Sequence, residues 1–194
     1  MPSRTDHLTV QSTLITEGLL RDWPLPALTG SGKNSRGDVW VIGGARGTPG
    51  AAMLAGWAAL RVGAGRLTIA VAESVATAVA VAVPESGVHA LPETLGGSVR
   101  GAVSSDLAER LAGGDAVLVG SGLDDAPHTA ALVEALLPVV SQHTNVVLDA
   151  YALGILPEVS QVADKWAGRL ILTPNTEELE RLLEASAGAL DDPA

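Results

Sequence analysis

The stretch Val39-Trp-Val-Ile-Gly-Gly-Ala-Arg-Gly-Thr-Pro-Gly-Ala-Ala-Met-Leu-Ala55 decides the fold. Val39–Ile42 is a short apolar run of the kind that forms a buried strand. Gly43, Gly44, Gly47 and Gly50 make the turn after it. Glycines there permit positive φ and leave backbone N–H groups uncovered. From Gly50 to Val62 the spacing predicts a helix, with Met53, Trp57 and Leu60 three or four apart on one face and small residues between them. Gly63 and Gly65 supply the stop. A strand, a glycine turn and a helix in that order form the unit by which α/β proteins offer amide groups to an anionic ligand. The same turn also reads as a tight connection that needs glycine only for packing.

Three later segments repeat the ending. Ala116–Asp124, Val146–Tyr151 and Leu170–Asn175 each run apolar and then break into a short polar turn. Four such ends at one edge of a sheet would form a crevice. Between them the pattern predicts strands at Arg66–Ala72, Ala116–Val119, Val146–Leu148 and Leu170–Leu172. It predicts helices at Ser74–Val83, Ser104–Leu111, Pro127–Gln142 (open to an early end at Pro138), Ala152–Leu156 and from Glu177 onward. Leu91–Ser98 reads as a loop with a short strand in it. Strands alternating with helices mean a mostly parallel sheet covered on both faces. The 194 residues fit one domain, 1–194, with residues 1–33 as an N-terminal arm carrying a short helix near Thr16–Arg21.

Composition narrows the chemistry. The formal charge is −10, which argues against nucleic acid and anionic membrane surfaces as partners. No run approaches the roughly 20 apolar residues of a membrane span. With no Cys there is no disulfide, thiol nucleophile or thiolate metal site, which fits a cytoplasmic protein. The four histidines are scattered and read as surface or loop residues, and Asp191-Asp192 reads as a solvated tail.

The candidate site residues sit at the turns. Gly120 and Gly122 of Gly120-Ser-Gly-Leu-Asp124 would let a flat ring or a phosphate approach the backbone, or would serve an ordinary turn. Asp149 ends the buried run Val-Val-Leu, where a carboxylate needs a hydrogen bond or a ligand. Asn175 and Glu178 read two ways: as a pair able to hold hydrated Mg²⁺ or orient phosphate through water, or as a helix cap.

Taken together, these turns resemble the ADP/ATP-dependent NAD(P)H-hydrate dehydratases of the ribokinase-like fold. The resemblance rests on Lys33-Asn-Ser-Arg-Gly-Asp-Val-Trp-Val-Ile-Gly-Gly44, Gly50-Ala-Ala52, Ala58-Ala-Leu-Arg-Val-Gly-Ala-Gly65, Pro84-Glu85, Val119-Gly-Ser-Gly-Leu123, Leu148-Asp-Ala-Tyr-Ala-Leu153 and Leu172-Thr-Pro-Asn-Thr-Glu-Glu178. It implies repair of hydrated NADH or NADPH by phosphorylation of the ring hydroxyl from ADP or ATP with Mg²⁺, followed by loss of phosphate. It implies that Gly50, Ala51, Ala52, Gly120, Gly122, Leu123, Asp149, Asn175 and Glu178 line the substrate, and that the protein is a homo-oligomer. Two positions depart from the family pattern. Asn175 stands where a His is usual, and Tyr151 replaces a second Asp. The family's catalytic Asp lies in a Gly-x-Gly-Asp turn, which these residues do not contain, so the chain is expected to be the substrate-side part of a larger domain. A ribokinase-like kinase of a small alcohol and an inactive dinucleotide-binding module are the rival readings.

Overall fold

The computed structural model describes residues 13–23, 30, 32–159 and 161–191. After a short helix α1 (Glu17–Asp22), capped by the Thr16 hydroxyl, and one 3₁₀ turn at Lys33–Arg36, the chain alternates strand and helix. The order is β1 (Asp38–Ile42), α2 (Pro49–Arg61), β2 (Arg66–Ala72), α3 (Glu73–Ala82), β3 (Gly87–Leu91), α4 (Ser105–Leu111), β4 (Ala116–Val119), α5 (Ala126–Leu136) and β5 (Asn145–Leu148). It continues with α6 (Tyr151–Gly154), α7 (Gln161–Lys165), β6 (Leu170–Leu172) and α8 (Thr176–Asp191). The six strands form one parallel sheet in the order β3-β2-β1-β4-β5-β6.

That order places a switch point between β1 and β4. From β1 the chain moves outward one way through β2 and β3, then returns and builds β4, β5 and β6 on the other side. At such a point the loops leaving the two central strands diverge, and a crevice opens at their carboxyl ends. The turns after β1 and β4 are the two glycine turns of the sequence.

Both faces of the central strands are buried, as parallel strands require, whereas Ile171 and Leu172 of the edge strand β6 are exposed. Trp40 and Ile42 face a core with Leu107, Leu111, Leu132, Leu136 and Leu153, under α4, α5 and α6. Val41, Ile69 and Val71 face the other way and pack on α2 and α3. The side of α2 that meets the sheet is its small-residue side. Ala52 and Gly56 are buried, whereas Trp57 is 39% exposed. A Cβ at Gly56 would lie 2.9 Å from Ile69 Cδ1 and 3.0 Å from Leu67 Cδ2, so a larger residue there would have to displace the ends of both side chains. Met53 and Leu60 pack against this core from partly buried positions, while Trp57 is turned outward.

Several expectations change. The strand expected within Leu91–Ser98 falls earlier, at Gly87–Leu91. It is an edge strand with a mixed-polarity sequence, which hides it from periodicity. It carries His89, so that histidine is not a surface or loop residue: its ring lies 6.5 Å from the Trp40 ring, edge to face. Burial holds its pKa below the usual value, the Arg110 charge acts in the same direction, and Asp106 opposes them. Ser74 does not cap α3; its hydroxyl donates to Glu93 instead. α5 stops at Leu136, two residues ahead of Pro138, and α7 is a helix that the pattern did not indicate. His7 and Asp192 lie outside the described residues.

Candidate active site at the sheet's switch point

The two glycine turns are joined backbone to backbone. Gly44 N–H donates to Ser121 O at 3.0 Å, and Ala45 N–H donates to Gly122 O at 2.7 Å. The Thr48 hydroxyl also donates to Gly122 O, at 2.7 Å. This approach leaves no room for side chains. A Cβ on Gly43 would overlap the Ser121 carbonyl oxygen and lie 3.1 Å from its carbon. Gly122, at φ +80°, is constrained both by conformation and by the Thr48 carbonyl.

Because the Thr48 hydroxyl points at Gly122, it does not cap α2, whose N-terminus has no side-chain cap. Pro49 occupies the first turn, so the N–H groups that follow it at Gly50, Ala51 and Ala52 begin a 13-residue helix without the usual cap. Gly50 is exposed, Ala51 is half-buried and Ala52 is buried. An uncapped helix start beside a tight glycine turn has the donors and the positive dipole end that an anion requires.

Asp149 ties three strand ends together. Its Oδ2 accepts from the Ser121 hydroxyl at 2.6 Å, and its Oδ1 accepts from the Thr173 hydroxyl at 2.8 Å. The turns after β4, β5 and β6 thus share one carboxylate, and each hydrogen bond to it is worth about 1.5–3 kcal/mol. Gly120, at φ +127°, sits under this knot, where a Cβ would overlap Asp149 O and lie 2.9 Å from Ala152 Cβ. Ala150 follows with φ 48° and ψ −119°, a glycine-favouring conformation imposed on alanine.

Asn175 and Glu178 form a reciprocal cap on α8. Asn175 N–H donates to Glu178 Oε2 at 2.8 Å, and Glu178 N–H donates to Asn175 Oδ1 at 3.0 Å. Of the two readings the sequence allowed, this arrangement is the cap. Among the described residues no group of three or more His, Asp or Glu lies close enough to hold a metal ion. Glu178 also borders a cavity of about 590 Å³ between α6 and α8, together with Tyr151, Arg181 and Ile155. Another cavity, about 530 Å³, lies at the opposite ends of the strands, by Asp38, Arg66 and Gly87.

The structure therefore gathers Gly50, Ala51, Ala52, Gly120, Gly122, Leu123 and Asp149 around the switch point. Asn175 and Glu178 stand one turn farther out, past Thr173. Sequence reasoning missed Thr48, Ser121 and Thr173, whose hydroxyls join the turns. It also missed Arg46, which lies in the first glycine turn. The Arg46 guanidinium pairs with Glu93 and donates to Ser74 Oγ at 3.2 Å and to Leu95 O at 3.2 Å.

This parallel, doubly covered sheet with its site at the switch point belongs to the ribokinase-like class of folds. A ribokinase-like superfamily protein of Enterococcus faecalis superposes with a TM-score of 0.69 at 21% identity, over 89% of this chain and 59% of that one. The ADP/ATP-dependent NAD(P)H-hydrate dehydratase of Bacillus subtilis, co-crystallized with ATP/Mg²⁺, superposes with a TM-score of 0.61 at 24% identity, over 91% of this chain and 58% of that one. A family model described as NAD(P)H-hydrate dehydratase matches residues 39–193. The chain belongs to that family. It is 39% identical over 178 residues to the ADP-dependent (S)-NAD(P)H-hydrate dehydratase of Xanthomonas campestris, covering 91% of this chain and 58% of the relative's length.

Proposed function

We propose that this chain carries the substrate-binding part of a nucleotide-dependent NAD(P)H-hydrate dehydratase, which returns hydrated NADH or NADPH to the reduced cofactor. One observation carries the reading: the uncapped N-terminus of α2 stands beside the Gly120–Leu123 turn at the sheet's switch point. The diphosphate of a dinucleotide would take the N–H groups of Gly50, Ala51 and Ala52. The hydrated ring would lie against Gly120, Gly122 and Leu123. Asp149 holds the floor by fixing Ser121 and Thr173.

The chemistry is a dehydration made feasible by phosphorylation. Hydroxide leaves poorly, so the ring hydroxyl oxygen attacks the terminal phosphoryl group of ADP or ATP and releases AMP or ADP. The ring nitrogen lone pair then expels phosphate as the C–O bond breaks, and loss of a neighbouring proton restores the ring double bond. Mg²⁺ enters this scheme with the nucleotide's phosphates. These residues contain no Gly-x-Gly-Asp turn, so the reading gives this chain binding and orientation of the hydrate rather than proton abstraction. It also carries the expectation of a cytoplasmic homo-oligomer formed by a single-domain chain.

The test is titration of the chain with hydrated NADPH, for the parent and for Gly50→Ala. A Cβ at Gly50 meets nothing within 4 Å, so the variant folds as stably as the parent. It places a methyl group on the helix start that the ligand approaches. The expected result is parent binding in the micromolar to millimolar range, weakened several-fold or more by Gly50→Ala at unchanged thermal stability. Absence of parent binding, or equal affinity in the two proteins, removes the reading.

A further inference from the structure

The turn that presents the α2 N-terminus is held from two sides. On one side lie its bonds to Ser121 and Gly122. On the other, Arg46 N–H donates to Gly97 O at 2.9 Å, and the Arg46 guanidinium reaches Glu93, Ser74 and Leu95. The segment beyond β3 that supplies these partners is itself braced. Glu93 and Val99 form an antiparallel bridge, and Val99 is buried. Arg100 Nε donates to Glu93 O at 2.9 Å, and Thr94 N–H donates to Ser98 O at 2.9 Å. The Glu93 side chain is only 13% exposed and accepts additionally from the Ser74 hydroxyl at 2.8 Å and the Ser74 N–H at 3.3 Å. Gly97, at φ +98°, leaves no room for a side chain, because a Cβ there would stand 2.6 Å from Arg46 Cβ.

Within the turn itself little else holds the arginine side. A Cβ at Gly47 would meet nothing within 4 Å. Thr48 N–H donates back to Ala45 O at 3.0 Å, a bond internal to the turn. The Arg46 charge is matched by Glu93, so its role is anchorage rather than attraction of the ligand. We propose that Glu93 is a positioning residue for the dinucleotide site: through Arg46 it fixes the Ala45–Gly50 turn so that the first N–H groups of α2 converge on the ligand, without touching the ligand itself. The burial of Val99 makes the clasp rigid, and the two hydrogen bonds from Ser74 hold the carboxylate oriented toward the arginine.

This inference rests on the dinucleotide-binding reading above, and its test separates the two. The informative variant is the pair Arg46→Ala/Glu93→Ala, which leaves net charge unchanged, so any loss of affinity is positional. Glu93→Gln keeps an oxygen acceptor for Arg46 and serves as the conservative rescue. Val79→Ala, a cavity variant in the α3 core, controls for general destabilisation. Affinity for hydrated NADPH is measured well below the unfolding range of each protein, and amide hydrogen exchange of Gly47–Ala52 is followed without ligand. The double variant is expected to lose about tenfold in affinity and to exchange faster at Gly47–Ala52. Glu93→Gln is expected to stay within about threefold of the parent, and Val79→Ala to match the parent's affinity despite a lower midpoint. Unchanged exchange in the double variant, or affinity equal to the parent's, overturns the positioning role. A Val79→Ala loss as large as the double variant's overturns it too. If the parent does not bind hydrated NADPH, the dinucleotide reading is what fails, and the exchange data still decide whether Glu93 holds the turn.

Discussion

Replacing Gly43 by alanine tests the seam between the two glycine turns. The new methyl group would overlap the Ser121 carbonyl oxygen and lie 3.1 Å from the Ser121 carbon. Both neighbours are backbone, so no side chain can swing aside, and the turns must separate. Separation breaks Gly44–Ser121 (3.0 Å), Ala45–Gly122 (2.7 Å) and Thr48–Gly122 (2.7 Å). Each bond is worth about 1 kcal/mol net. With about 1–3 kcal/mol of overpacking strain, the cost comes to roughly 4–6 kcal/mol. For a chain of this size each kcal/mol moves the midpoint by about 2–4 °C. Thermal unfolding followed by circular dichroism should therefore show Gly43→Ala melting roughly 10–20 °C below the parent. Gly47→Ala is the matched control: the position is in the same turn, and a Cβ there meets nothing within 4 Å. It should change stability by no more than about 0.5 kcal/mol. A Gly43→Ala midpoint as high as that of Gly47→Ala would refute the steric argument.

Two further outcomes follow from the same geometry. Ala150→Gly relieves an alanine held at φ 48° and should raise stability by about 1 kcal/mol in urea titration, a gain that a lowered midpoint would contradict. His89 bears on pH. Burial, chiefly, and then Arg110 hold its pKa down in the fold, so the unfolded chain takes up a proton at about 6.5 where the folded chain resists it. Stability tied to His89 is thus fully present above that value and is lost as pH falls below it. His89→Gln should flatten this part of the stability–pH curve, and a parallel decline in both proteins would remove His89 as the cause.

The centre of the sheet was readable because β1 and β4 end in glycine turns, and glycine marks where a backbone needs a conformation or a closeness that other residues forbid. β3 was not readable, since an edge strand with His89 in it lacks the alternation that a one-sided sheet imposes. The candidate site divides in the same way. Gly120, Gly122 and Asp149 announced themselves locally. Ser121 and Thr173 gained meaning only once the sheet order put the ends of β4, β5 and β6 side by side. Arg46 and Glu93 are 47 residues apart, and nothing in the local pattern of either signals the other. The Thr-Pro-Asn-Thr-Glu-Glu run reads either as a ligand site or as a cap, and only the hydrogen-bond geometry shows that Asn175 and Glu178 form the cap of α8.

The seam between the turns also bears on the order of folding. The two central strands that carry it come from distant parts of the chain: Asp38 and Asp115, bonded at the start of β1 and β4, are 77 residues apart. Loop-closure entropy makes such a pairing slow relative to the local β1–α2–β2 unit. The carbonyls of Ser121 and Gly122 reach their donors only after that long closure is complete. A molecule that recognises the joined turns therefore has no counterpart to bind in partly folded chains. It would draw the population toward the finished fold by mass action, so occupancy of the crevice would report how many molecules have completed their last long-range step.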